Sequence, residues 1–128
     1  MTEICTIVLP LPPYVLSPNR PPGSIGSRIR KAQAAKRYRR LAEEATLELD
    51  IETGPWPRVV ASAVFFHKIK RRRDGVNHNA MLKPAQDGIV DAGLAVDDDS
   101  IHWTTEPPVF KIDREYPRVE ITVERVEV

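Results

Sequence analysis

Residues 59–93 read VVASAVFFHKIKRRRDGVNHNAMLKPAQDGIVDAG, and three changes of pattern within them decide the fold. Val59–His67 is a nearly uncharged run rich in β-branched and aromatic residues, the composition of a central strand buried on both faces. It delivers the chain into Lys68-Ile69-Lys70-Arg71-Arg72-Arg73-Asp74, a cationic run closed by one carboxylate. Side chains just past the end of such a strand lie where α/β sheets commonly place ligands. A helix is then expected from about Asn79, with Asn79 or Ala80 as its N-cap. Pro84 falls in the first turn, where a missing N–H costs little. Met81, Leu82, Ala85, Ile89 and Val90 supply a core face at helical spacing, and Gly93 supplies the stop. This arrangement holds Lys83 at the open end of the helix.

Working outward, Ile4–Leu9 reads as a first strand. The proline-dense stretch PLPPYVLSPNRPPG at 10–23 cannot form a regular ladder or helix and is expected to be a rigid loop. Ser27–Leu49 reads as the longest helix, with Ser24 or Ser27 as N-cap. Its first half carries Arg28, Arg30, Lys31, Lys36, Arg37, Arg39 and Arg40, and its second half Glu43, Glu44 and Glu48. That order opposes the helix dipole at a cost of a few tenths of a kcal/mol per charge. Contact with phosphates would explain it, and so would a solvated face with pairs such as Arg39–Glu43 and Arg40–Glu44. Two strands follow, Ser100–Phe110 and Arg118–Val126, the latter alternating as VEITVERV. The order β-α-β-α-β-β predicts an α/β fold: a small mixed sheet with helices packed on it, as one domain over 1–128.

The 128 residues carry 19 Lys+Arg against 18 Asp+Glu, so net charge says nothing about partners while its distribution does. Bases gather at 28–40 and 68–73, acids at 43–52, 87–99 and 113–127. A basic surface around an acidic centre suits an enzyme acting on a polyanion. The single Cys5 permits no internal disulfide and fits a reducing cytoplasm. Its apolar surroundings predict a buried thiol rather than a nucleophile. No stretch approaches the roughly 18 apolar residues of a membrane span. His67, His78 and His102 match no zinc spacing; His102 fits a strand position and His78 the loop before the helix. Phosphate-cradling glycine loops and nucleophile elbows are absent.

The chemistry therefore rests on carboxylates. Asp74 lies beside the cationic run and Asp97-Asp98-Asp99 follow the second helix, with Lys83 between them in the chain. Acids hold hard cations through oxygen, and neighbouring bases hold the polyanion such cations act upon. If the helix returns the chain to the end of the Asp74 strand, the two acidic points meet around one metal. Taken alone, an aspartate run is also what a solvated turn or helix cap looks like.

RRRD at 71–74, LKPAQD at 82–87 and VDDDSI at 96–101, together with TIVLPLPPYVLSPNR at 6–20, resemble the signature of the RusA family of Holliday junction resolvases. That signature runs from a basic segment through Asp-x-Asp-Asn and x-x-Lys-Pro-x-x-Asp to Asp-Asp. The resemblance implies a homodimeric, Mg²⁺-dependent endonuclease, with Mn²⁺ as a possible substitute, acting on four-way junctions and other branched DNA. It implies Asp74, Lys83 and Asp98 as catalytic residues. The implied metal set is Asp74, Asn79, Asp97 and Asp98, and Arg20, Arg71, Arg72 and Arg73 are the implied DNA contacts. One departure stands out. Counted back from Lys83, the second aspartate of Asp-x-Asp-Asn is Asn79, with Gly75–Asn77 as an insertion. An amide oxygen can ligate Mg²⁺ but brings no charge, so Asn79→Asp is expected to tighten the site. If the insertion has instead rebuilt the site around Asp97 or Asp99, it would crowd like charges and lower activity. A branched-DNA-binding protein with weak or lost catalysis is the alternative.

Overall fold

In a computed structural model describing residues 3–18 and 23–126, one mixed sheet carries helices that pack against a single core. Among the described residues the strands are β1 (Ile4–Leu9), β2 (Val59–His67), β3 (Trp103–Thr105), β4 (Val109–Ile112) and β5 (Arg118–Arg125). The helices are α1 (Ile25–Glu48), α2 (Gly75–Met81) and α3 (Lys83–Asp91), with a 3₁₀ turn at Tyr14–Leu16. The sheet runs β1-β5-β2, with β5 antiparallel to both neighbours, and β3 and β4 pair in parallel along the free edge of β2. The mixed α/β fold expected from the sequence is thus present, with three differences that bear on the site.

The first concerns burial of β2. Val59, Ala61, Ala63 and Phe65 are buried, while Val60, Ser62, Val64 and Phe66 between them are only half-buried. One face is sealed, not both, because β1 and β5 bury the same side, through Ile7, Leu9, Val119, Ile121 and Val123, as α1 and α3 do. The uncharged run reads like a doubly covered strand because three of its four outward positions, Val60, Val64 and Phe66, are apolar too.

The second is the region 100–110, expected as one strand. Pro107 and Pro108 lack the N–H a ladder needs, so the segment splits into β3 and β4, pairing successively with Val59–Ala61 and Val64–His67.

The third is the helix expected from Asn79, which is two helices, the first beginning at Gly75. Asp74 caps α2: its Oδ1 accepts from the backbone N–H of Val76 (3.0 Å) and Asn77 (3.3 Å). The stretch 75–77 is therefore a helical first turn rather than an inserted loop. Pro84 cannot donate back to Ala80, so the ladder breaks at Leu82 and α3 starts at Lys83.

α1 begins one residue after Ser24, whose hydroxyl accepts from the Ser27 N–H at 3.1 Å. Its buried stripe is Ala34, Tyr38, Ala42 and Thr46, an i,i+4 row too narrow to hide Ile25 or Ile29. Against that stripe α3 lays Ala85, Gly88 and Ile89. The approach is so close that a Cβ on Gly88 would stand 2.1 Å from the Arg39 carbonyl oxygen and 3.0 Å from the Ala42 Cβ. After α3, Gly93 takes a left-handed φ of +88° and ends the helix as the sequence predicts. The chain then pairs with Trp56, whose N–H donates to the Leu94 carbonyl (2.7 Å) and whose carbonyl accepts from Val96 (3.1 Å). That clamp fixes the start of the aspartate run beside the root of β2. Among the described residues no helix is long and apolar enough to cross a membrane.

Candidate functional site

The three consecutive aspartates are separated by what each touches. Asp97 is exposed, and its Oδ1 accepts from the backbone N–H of Asp98 at 2.7 Å. Asp99 caps the next turn, accepting from the N–H groups of Ile101 and His102 (both 3.0 Å) and bonding His102 Nδ1 at 2.7 Å. Asp98 alone turns inward, its side chain 13% exposed, and meets the Lys83 ammonium. The same ammonium reaches Asp87 Oδ1 one helical turn along α3, at 2.9 Å. Lys83 thus bridges two carboxylates that are eleven positions apart in the chain (98 − 87).

Electrostatics follow from this bridge. Burial pushes the Asp98 carboxyl up, but the contacts with Lys83 and Asp87 outweigh it and hold the group below the usual carboxylate range. Burial likewise pushes Lys83 down, and its bonds to Asp87 and Asp98 carry it above an ordinary lysine. Lys83 is therefore a fixed cation at neutral pH rather than a proton shuttle. Beside the bridge, Arg39 of α1 forms a two-pronged pair with Asp91 (Nε–Oδ2 2.5 Å, Nη2–Oδ1 2.8 Å) and lies 3.9 Å from Asp87. Arg39 is thus committed to α3, not to the Glu43 that lies one turn further along its own helix.

Asp74 lies apart from this cluster. Besides capping α2, its Oδ2 accepts from Asn77 Nδ2 at 3.1 Å, and His78 Nδ1 bonds its backbone carbonyl at 2.8 Å. Asp74 thus pairs with Asn77, while Asn79 turns elsewhere: its Nδ2 donates to the Glu106 carbonyl at 3.1 Å and its Oδ1 is buried without a partner. Among the described residues no three His, Cys, Asp or Glu side chains gather as a metal-holding group. The expected meeting of Asp74 with Asp98 is replaced by that of Asp87 with Asp98. Asp87 is the site residue that sequence reasoning passed over, although its i,i+4 spacing from Lys83 signals the contact.

Cations surround both places. Arg28 and Lys31 of α1 line a groove of 530 Å³ that runs to Lys83 and Pro84. At the end of β2, Lys70, Arg71, Arg73 and Lys111 line a second groove of 450 Å³. Burial and the neighbouring Arg71 charge both lower the Arg73 pKa, the mark of crowded positive charge. Arg72 and Arg73 also border a pocket with Asp74 and His78. Arg20 lies outside the described residues. Cys5 is half-buried, and burial lifts its thiol to about 11, which suits a structural role.

The molecule is thus a two-layer mixed α/β protein whose polar centre is a lysine shared by two aspartates and flanked by cationic grooves. No family model matches the sequence, and no curated protein is significantly similar to it.

Proposed function

We propose that the protein is a Mg²⁺-dependent, structure-selective endodeoxyribonuclease of the RusA type, working in the cytoplasm as a homodimer on four-way junctions and other branched DNA. The observation that carries the reading is that Asp98, alone of three consecutive aspartates, turns inward onto Lys83 together with Asp87. The resemblance in sequence had pointed to Lys83 and Asp98, and the structure adds Asp87 beside them.

The donor set suits the metal. Asp87 and Asp98 already share one cation, the Lys83 ammonium, and their oxygens are the hard donors Mg²⁺ takes. One or two carboxylates plus substrate phosphate is a common Mg²⁺ set. Asp98 and Asp87 would hold the ion, with Asp97 and Asp74 as the remaining acids of the implied set. When bound, Mg²⁺ supplies Lewis acidity for phosphodiester hydrolysis, and Mn²⁺ can do the same. Lys83, permanently charged, neutralises negative charge developing on the attacked phosphate. Arg71, Arg72 and Arg73 hold backbone phosphates and carry no sequence information. Symmetric cutting of a four-way junction calls for two sites related by a two-fold axis, hence a dimer.

One observation favours a second reading, a branched-DNA-binding protein with weak or lost catalysis. Because α2 starts directly after Asp74, Asp-x-Asp-Asn aligns without a gap on Asp74-Gly75-Val76-Asn77. The second acid is then Val76, 80% exposed and unable to ligate anything.

Cleavage of a junction, a flap and a linear duplex by wild type and Asp98→Asn, in Mg²⁺ and in Mn²⁺, tests both readings. The nuclease cuts the junction, and Asp98→Asn abolishes cutting while retaining junction binding, since it removes charge without removing a phosphate contact. Tight junction binding with no cleavage in either metal selects the second reading. Equal, weak binding to all three substrates refutes both.

A further inference from the structure

Asp74 borders a cavity of 350 Å³ that the bridge between Lys83 and the aspartates does not use. Its volume lies at the small end of ligand pockets, room for a single ring system and its sugar. Leu11 and Pro12 of the proline-rich loop, Met81 of α2 and Phe65 of β2 are among the residues that line it. Phe65, His67, His78 and Phe110 pack as one aromatic group. The His67 and His78 rings meet edge to face at 5.4 Å, and His78 meets Phe65 in the same way at 5.0 Å.

His67 is the anomaly. Its Nε2 is buried and has no hydrogen-bond partner, a cost proteins seldom carry without reason. Burial, with the charges of Arg73 and His78, pulls its pKa down to about 4, so the ring is neutral at physiological pH. A neutral imidazole presents one donor and one acceptor nitrogen, as the edge of a nucleobase does. Arg72 and Arg73 stand on the rim, and Arg73 and His67 also belong to the adjoining groove lined by Lys70, Arg71 and Lys111.

We propose that this pocket takes one unpaired nucleobase of the DNA, seated against the His67 and His78 rings with its phosphate on Arg72 and Arg73. The strand on either side would follow the cationic groove. A stacked, paired base cannot enter such a pocket, whereas a base freed at a branch enters without the cost of breaking a pair. The inference rests on the DNA-directed reading above and adds to it a physical basis for preferring branched over linear DNA. A site for phosphate alone would need only the rim arginines and would leave the aromatic walls and His67 without a role.

Titration of the full chain with dAMP, dCMP, dGMP and dTMP, followed by the imidazole NMR signals of His67 and His78, tests this. Deoxyribose 5-phosphate and inorganic phosphate serve as base-free probes. At least one nucleotide should shift both histidines saturably, with Kd on the order of 1 mM, and the base-free probes should bind at least about tenfold more weakly. Leu11→Trp, which fills the cavity without altering charge, should abolish the shifts. If that variant misfolds, His67→Phe, which keeps the ring and removes its nitrogens, should weaken nucleotide binding about tenfold. Equal shifts from inorganic phosphate, or no His67 shift from any nucleotide, overturn the proposal. Nucleotide binding by a protein that neither cuts nor prefers junctions would sink the nuclease and leave the pocket. Junction cleavage without nucleotide shifts would sink the pocket alone.

Discussion

Replacing Lys83 by Met keeps the length of the side chain and removes the charge that Asp87 and Asp98 share. The signs of the two pKa shifts set the pH window. Asp98 is depressed in the folded protein, so its contribution to stability is full above the ordinary carboxylate pKa and lost as pH falls through the folded value. Lys83 is raised, so its contribution is full below the ordinary lysine pKa and lost only as pH rises through the raised value. At pH 7 both are present. A charged hydrogen bond left unmade at a buried group costs about 1.5–3 kcal/mol, and an exposed pair about 0.2–1 kcal/mol. Asp98 is 13% exposed and Lys83 58% exposed, so screening by solvent at the lysine end must be discounted. A loss of about 1.5 kcal/mol at pH 7 is the expected result. With a urea slope of about 1.5 kcal/mol per molar, the midpoint falls by about 1 M. Once the pH falls below the depressed folded value of Asp98, that carboxyl is protonated and the penalty should shrink to a few tenths of a kcal/mol. Urea unfolding of both proteins at pH 7 and below that value gives the difference, and a ¹³C titration of Asp98 should show it moving upward in the variant. An equal loss at both pH values, or an Asp98 that stays depressed, would refute the bridge.

Asn79→Asp should destabilise by about 1–3 kcal/mol, because a carboxylate oxygen would replace the amide that donates to the Glu106 carbonyl. A Mg²⁺ titration of cleavage should show no gain in metal affinity; a gain would restore Asn79 to the metal set. Gly88→Ala should cost about 1–3 kcal/mol through overpacking at the Arg39 carbonyl, although alanine ordinarily stabilises a helix by about 1 kcal/mol relative to glycine. Thermal unfolding decides it, and a variant as stable as wild type would mean α1 and α3 do not cross so closely.

What the sequence made legible was local. The β2 run and the stop at Gly93 each depend on residues close together in the chain. What it concealed depends on partners brought from afar. Nothing in the order of charges on α1 reveals that Arg39 pairs with Asp91, 52 positions away, because an i,i+4 glutamate is equally available on paper. The cap at Asp74 was readable, since an aspartate before a helical segment is a strong N-cap. Counting back from Lys83 obscured it by turning the first helical turn into an insertion. Asn79 was misjudged for a related reason: its role is set by Glu106, 27 positions away on the segment between β3 and β4.

The placement of charge on α1 gains a physical sense from the packing of α3. Arg28 and Arg30 stand in the opening turns, where the helix dipole is positive and no acidic residue offsets them. Arg30 turns to the Ser27 hydroxyl at 3.2 Å. Arg28 and Lys31 share their groove with Lys83, so three cations border one apolar trough. Repulsion among them and with the dipole disfavours the free protein by a few tenths of a kcal/mol per charge. A bound phosphate backbone would add attractions that outweigh those terms. Arg39, at the middle of the same helix, is tied to the helix carrying Lys83 and Asp87, and the Gly88 contact holds the two helices in register. The basic half of α1 and the polar centre are thus joined by direct contacts, so a strand drawn into the groove by charge would meet Lys83 there.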